Sequence, residues 1–226
     1  MLVDDRISVP EKGIAIPHGR AGIPAGLENK IDRILIPEAA LKSRVAALAE
    51  RICLDYRGTA QITFIVVLEG ARVFAEALCR EIGKLGGPAI EFDYIKARTY
   101  GEEIKGSGET ARQVSITVEP RRVKGKHIMI VEDIVDQGFT LTRIHELILQ
   151  KEPASMRTCA LLLKRLDDPT RAVRKLREEL RISYAGFDVP DRWVAGYGID
   201  VSGELRELPF IVAANEDHYA GARREV

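Results

Sequence analysis

The run Ile128-Met129-Ile130-Val131-Glu132-Asp133-Ile134-Val135-Asp136-Gln137-Gly138-Phe139-Thr140-Leu141 constrains the fold more than any other part of the chain. The apolar stretch Ile128 to Val131 suits a strand buried on both faces, as in a parallel sheet. Three carboxylates, a glycine and a threonine follow, and then Leu141, Ile144, His145 and Ile148 recur at helical spacing. The unit reads as strand, acidic turn, helix, and in an open α/β sheet the carboxyl end of a strand is where ligands bind. The Gly138-Phe139-Thr140 turn would aim backbone N–H groups and a hydroxyl at an anion above the sheet, a phosphate cradle at a helix start. Glu132 and Asp133 would reach a sugar's hydroxyls or a magnesium ion held by them, with Asp136 over the same crevice. The plainer alternative is a receiver-like or dinucleotide-binding domain that merely ends a strand in acids. Against the usual nucleotide folds, the chain has no Gly-x-Gly-x-x-Gly and no Gly-Lys-Ser/Thr run.

The rest of the chain repeats the alternation. Leu41, Val45, Leu48 and Ile52 mark an amphipathic helix, Ile62 to Leu68 a strand, Val73, Phe74 and Leu78 a helix, Ile90 to Ala97 a strand, and Val114 to Val118 an alternating strand. A strand over 126–131, a helix over 139–150, a strand over 156–163, a helix over 170–179 and a strand near 194–199 complete the pattern. Such alternation predicts a mainly parallel, twisted α/β sheet with helices on both faces. Residues 10 to 30 hold three prolines and four glycines, too many for a regular helix. They read as an extended arm that wraps the body or contacts another subunit, with disorder the alternative.

At 226 residues the chain is long enough for one well-buried core plus a small appendage. Its 34 basic and 34 acidic residues cancel, which leaves no electrostatic footprint of a general nucleic-acid binder. No apolar run approaches a membrane span, and no positive start followed by an apolar stretch opens the chain. Cys53, Cys79 and Cys159 are odd in number and scattered, so a reducing cytoplasm is the expected location. The four histidines show no metal-ligand spacing, which argues against zinc. The basic run Arg171, Arg174, Lys175, Arg177 and Arg181 interleaves with Glu178 and Glu179 on a predicted helix and reads as a solvated face.

Four further segments fall at or near predicted strand ends. Leu68-Glu69-Gly70-Ala71 closes the first strong strand, and its glycine would let backbone N–H groups approach an anion; otherwise it is a tight turn. Arg98-Thr99-Tyr100-Gly101 opens a polar, glycine-rich run through Gly108, as an idle surface loop or a lid. Lys164 follows Leu161-Leu162-Leu163 as a solvated strand end or a cation over the crevice. Val189-Pro190-Asp191-Arg192-Trp193-Val194-Ala195-Gly196-Tyr197-Gly198-Ile199-Asp200 carries the only tryptophan, whose plain reading is core.

The acidic run resembles the phosphoribosyl pyrophosphate signature of the type I phosphoribosyltransferases, and Val-Glu-Asp-Ile-Val-Asp is especially similar to their hypoxanthine-guanine branch. The segment 189–200 resembles that branch's base-binding segment, commonly Ile-Pro-Asp-Lys-Phe-Val-Val-Gly-Tyr-Gly-Leu-Asp. The resemblance runs through separated segments in the same order, over roughly residues 31 to 212. It implies purine salvage, in which a 5-phosphoribosyl group passes from phosphoribosyl pyrophosphate to hypoxanthine or guanine, with Mg2+ as cofactor and a homodimer or homotetramer as the assembly. A regulatory sensor of phosphoribosyl pyrophosphate, or the same transfer to xanthine, is the alternative. No nucleic-acid or membrane partner is implied.

Residue by residue, the resemblance gives Glu132, Asp133, Asp136, Gln137, Gly138, Phe139, Thr140 and Leu141 to phosphoribosyl pyrophosphate, with Asp136 as catalytic base for the purine N7 proton. Leu68, Glu69, Gly70 and Arg206 would hold pyrophosphate, Thr99 and Tyr100 would belong to a lid, and Lys164, Trp193 and Val194 would bind the purine. Glu132, Asp133 and Asp200 would attend the metal. Residues 1–40 would contribute an arm to a small hood, 41–185 form the core, and 186–226 complete the base-binding hood. Two departures stand out. Glu69 replaces a frequent lysine, in a peptide that is often cis, and puts negative charge beside a polyanion unless it points away or shares a magnesium ion. Gln137 replaces a frequent threonine, so its contact is lost or remade by the amide.

Overall fold

The computed structural model describes residues 6–14, 23–100 and 113–222. In chain order the elements are β1 (Ile7–Ser8), β2 (Ile31–Ile36), α1 (Glu38–Asp55), β3 (Gln61–Val67), α2 (Ala71–Lys84), β4 (Ala89–Tyr100), β5 (Gln113–Val118), β6 (His127–Val135), α3 (Phe139–Gln150), β7 (Ser155–Lys164), α4 (Arg171–Glu179), β8 (Tyr184–Val189), β9 (Val194–Ala195), β10 (Ile211–Ala214) and α5 (Glu216–Ala222).

The main sheet has seven strands in the order β1-β8-β7-β6-β3-β4-β5. All neighbours are parallel except β4 and β5. The connection β3-α2-β4 advances one way along this order, whereas β6-α3-β7 and β7-α4-β8 advance the other way. Because such crossovers are right-handed, α2 lies on one face and α3 and α4 on the other. The strand order therefore reverses between β3 and β6, and the crevice of such a fold opens at their carboxyl ends. The residues facing both layers explain the stability: Ile62, Phe64, Ile65 and Val66 of β3 and Ile128 to Val131 of β6 are all buried. Each such side chain contributes about 1.5–3 kcal/mol on leaving water.

β6 runs four residues further than its apolar run predicts. Pairing with β3 ends at Val66 opposite Val131, but pairing with β7 continues through Glu132 opposite Ala160 to Val135 opposite Leu163. Glu132 and Asp133 thus sit where β6 has lost one neighbour and keeps the other.

Two features differ from the sequence reading. The main sheet's strand after α4 is Tyr184–Val189, not a strand near 194–199. Its small residues hide it: a Cβ on Gly186 would lie 2.4 Å from the carbonyl oxygen of Leu161, so only glycine fits against β7. Buried Arg44 of α1 donates to the carbonyls of Ala185 and Gly186 at 2.7 and 3.0 Å. Of the stretch 194–199, only Val194–Ala195 is a strand, in a second sheet of order β2-β10-β9. That sheet joins Ile31–Ile36 to Ile211–Ala214 and has its own small core with Leu205, Leu208 and Tyr219. The described part of the N-terminal arm is docked: β1 extends the main sheet beside β8, and Arg165 donates to the Val9 carbonyl at 2.7 Å. Residues 15–22 of the arm lie outside the described residues.

Candidate active site

At the reversal point, Glu132 is 5% exposed and accepts the Asp133 backbone N–H at 3.2 Å. Burial first, then the adjacent Asp133 charge, pushes its carboxyl well above the usual range. Two carboxylates so placed favour any cation or hydroxyl donor that relieves them. Asp133 turns toward the end of β3: a Cβ on Gly70 would lie 1.7 Å from its Oδ2. Gly70 is therefore the residue that lets the turn after β3 close against the acidic end of β6.

Beyond the acids, Gly138 begins α3 with φ 96°, a left-handed conformation suited to glycine. A Cβ there would also lie 2.6 Å from Leu180 and 2.7 Å from Leu176, so the turn rests directly on α4 and the residues after it. Residues Glu132 and 134–141 line a cavity of about 100 Å³ above the start of α3. Arg177 reaches under it from α4 and donates to the carbonyls of Val135 (2.7 Å), Asp136 and Lys164 (3.1 Å). The reading of Arg177 as part of a solvated face is thus corrected. Its side chain belongs to the inward stripe Val173, Leu176, Arg177 and Leu180, a helical spacing already visible in the sequence.

The Leu68–Glu69 peptide is cis. The Leu68 N–H donates to Ile95 O at 2.8 Å, which sets Glu69 beside Lys96 of β4, and the two side chains pair at 2.7 Å. The Lys96 hydrogen bond, and then its charge, holds the Glu69 carboxyl below its ordinary value, with Arg206 and Arg72 adding to the effect. Glu69 thus faces a cation instead of standing uncompensated. Arg206 donates to Gly198 O at 2.7 Å and pairs with Asp200 at 2.5 Å. Asp200 also accepts from the Gly203 N–H at 2.8 Å. A Cβ on Gly198 would lie 2.4 Å from Gly70 O, so the 198–206 turn abuts the 68–70 loop.

Lys164, its side chain 11% exposed, ties the acidic turn to the 189–200 segment: its ammonium is 3.2 Å from Asp136 and 3.8 Å from Asp191. The chain then enters the second sheet, where the Trp193 carbonyl accepts from Ala214 N at 2.7 Å and Val194 pairs with Ala213. Arg192 anchors the same turn to Asp32 at 3.3 Å and to Glu216 at 3.7 Å. Trp193 is half-buried against the second core. Thr99 and Tyr100 end β4 opposite Val114 and Gln113, and the rest of the polar, glycine-rich run, 101–108, lies outside the described residues. Glu132, Asp133 and Asp200 do not form a metal cage; among the described residues no three His, Cys, Asp or Glu side chains converge on one point. A larger open groove of about 660 Å³ lies between Tyr56–Ala60 and Leu85–Pro88, at the amino ends of β3 and β4, away from all of these groups. No helix among the described residues is long and apolar enough to cross a membrane.

Comparison with known proteins agrees with this arrangement. The phosphoribosyl transferase domain family matches residues 34–200. Hypoxanthine phosphoribosyltransferase of Escherichia coli (strain K12) is 35% identical over 181 residues, covering 79% of this chain and 92% of that protein. Hypoxanthine-guanine phosphoribosyltransferase of Dictyostelium discoideum is 31% identical over 186 residues, covering 82% and 97%. A crystal structure of a hypoxanthine-guanine phosphoribosyltransferase from Bacillus anthracis superposes with TM-score 0.68 at 32% identity, covering 82% of this chain and 98% of that one. Trypanosoma cruzi hypoxanthine phosphoribosyl transferase gives TM-score 0.73 at 30% identity, covering 89% and 100%. The chain belongs to the type I phosphoribosyltransferase family, within its hypoxanthine-guanine branch.

Proposed function

We propose that this protein joins hypoxanthine or guanine to phosphoribosyl pyrophosphate, forming IMP or GMP and releasing pyrophosphate in purine salvage. The observation that carries this reading is Lys164, whose ammonium lies between Asp136 of the acidic turn and Asp191 of the segment bearing Trp193. It puts a donor between a site suited to a sugar phosphate and one suited to a flat base.

In this reading the 5′-phosphate occupies the cavity over α3, held by the Thr140 hydroxyl and the N–H groups of Gln137, Gly138, Phe139, Thr140 and Leu141. The helix dipole alone contributes up to about 2 kcal/mol to such a site. Glu132 and Asp133 take the ribose 2′ and 3′ hydroxyls, and the backbone of Leu68, Glu69 and Gly70 with Arg206 takes pyrophosphate. Lys164 donates to the purine six-position carbonyl, Trp193 stacks on the ring, and backbone groups of Val194 read its edge. Asp136 removes the N7 proton as C1 of the ribose transfers. Thr99 and Tyr100 close over the reacting sugar and exclude water.

The residues suit Mg2+ in one respect: separate carboxylates, rather than a protein cage, fit an ion that keeps its waters and is shared with phosphates. Glu132 and Asp133 would meet it through the ribose hydroxyls and Asp200 through water. The ion would neutralise charge on the leaving pyrophosphate. We further place the protein in the cytoplasm as a homodimer or homotetramer. The sensor alternative drew its support from Glu69 and Gln137, and the Lys96 partner of Glu69 removes half of that support.

The test is turnover of phosphoribosyl pyrophosphate with hypoxanthine, guanine, xanthine, adenine and uracil, each with and without magnesium. Hypoxanthine or guanine should be used only with magnesium present. Adenine should fall about 10⁴-fold lower in kcat/KM, because its amino group offers donors to the Lys164 donor. Turnover of no base, or preference for adenine, contradicts the reading.

A further inference from the structure

We propose that Lys96 is a pyrophosphate-binding residue of this protein and that Glu69 is its displaceable counter-ion; the inference rests on the phosphoribosyl-transfer reading. The backbone sets up the pair. The Leu68 N–H donates to Ile95 O, which brings Lys96 of β4 close to Glu69 in the turn after β3. The β4–β5 register shifts between Lys96 and Ala97, an irregularity of the kind that re-aims a side chain next to a site. Lys96 therefore leaves the sheet toward the 68–70 loop, and its ammonium stops 2.7 Å from the Glu69 carboxylate.

The two partners differ in freedom. The Lys96 side chain is 30% exposed and the Glu69 side chain 51% exposed, so the carboxylate has solvent to swing into while the lysine stem stays against the protein. Arg206 is close enough to act on the Glu69 charge. A polyanion settling on the loop backbone meets two cations, Lys96 and Arg206, each held by a carboxylate, Glu69 and Asp200. A pyrophosphate carries more charge than a single carboxylate and takes the lysine from it. In the sequence, Glu69 stands without a visible partner. Lys96 gave no signal because its role depends on a neighbour 27 positions away in the chain.

The experiment is a double-mutant cycle read by calorimetric binding of magnesium pyrophosphate to the whole protein. Lys96→Met should raise the Kd about 10- to 100-fold, the range for losing one charge-assisted hydrogen bond. It should do so again in the Glu69→Gln background, where Lys96→Arg should restore most of the binding. Unchanged circular dichroism and melting temperature would separate this loss from misfolding. If Lys96→Met has no effect once Glu69 is Gln, the lysine serves only to neutralise the glutamate and the proposal is overturned. A wild-type protein that fails to bind pyrophosphate overturns it equally. Wild-type turnover with hypoxanthine, measured in parallel, separates the two readings, since absent transfer would sink the purine reading while the pyrophosphate series still decides Lys96.

Discussion

Asp136→Asn should turn over hypoxanthine about 10²–10⁴-fold more slowly than the wild type, the usual span for losing acid–base help, and should melt at the same temperature. The Asp136 side chain is 49% exposed and pairs with the Lys164 ammonium at 3.2 Å. The backbone at this point is held independently by Arg177, which donates to the Val135 and Asp136 carbonyls. Asparagine keeps the shape and the position but cannot take up a proton, and Lys164 retains Asp191 as an anionic neighbour. The loss should therefore fall on kcat, leaving the KM for phosphoribosyl pyrophosphate nearly unchanged. Stopped-flow or steady-state assays on the purified variant decide this, and unchanged turnover would remove Asp136 from the chemistry.

The second large effect is expected at a residue with no side chain. Gly70 has φ −65° and ψ −38°, which alanine adopts without strain, so the cost of Gly70→Ala must come from space. Its Cβ would lie 1.7 Å from Oδ2 and 2.7 Å from Cγ of Asp133, so that carboxylate has to move. Asp133 is the group assigned to the ribose hydroxyls, and a misplacement of about 1 Å is enough to cost about 10²-fold. kcat/KM for phosphoribosyl pyrophosphate should fall by that order, while the purine KM changes little. Gly83→Ala is the control: it lies in α2 with nothing within 4 Å of the added Cβ, and should behave as wild type. Full activity in Gly70→Ala would mean that the position of the Asp133 carboxylate does not matter.

The parts of this molecule that local sequence pattern reveals are those held together by neighbours in the chain. β6, its acidic end and α3 follow one another without a break, and α3 begins and ends at the predicted residues Phe139 and Gln150. The parallel sheet follows from alternation and from the burial of whole apolar runs. What escaped depends on distant partners. β2 and β10 pair Ile36 with Ile211, and neither short segment carries an alternation strong enough to announce a strand. β8 was hidden because close packing against Leu161 requires Gly186, and a glycine inside a strand weakens the pattern that identifies one. Arg177 was concealed by its charge: the arginine-rich composition of α4 suggests solvent, whereas its spacing with Val173 and Leu180 turns it inward. Glu69 shows the same limit for charge, since its surroundings are set by Lys96 on the adjoining strand.

In the proposed function one pocket holds a sugar phosphate over α3 and a purine against Trp193. Trp193 is the chain's only tryptophan, so its emission reports on that pocket alone. Titration with GMP should quench the fluorescence saturably, and ribose 5-phosphate should compete with the nucleotide for the site without causing the quench itself. Emission that stays constant while calorimetry shows GMP bound would put the base elsewhere and contradict the account.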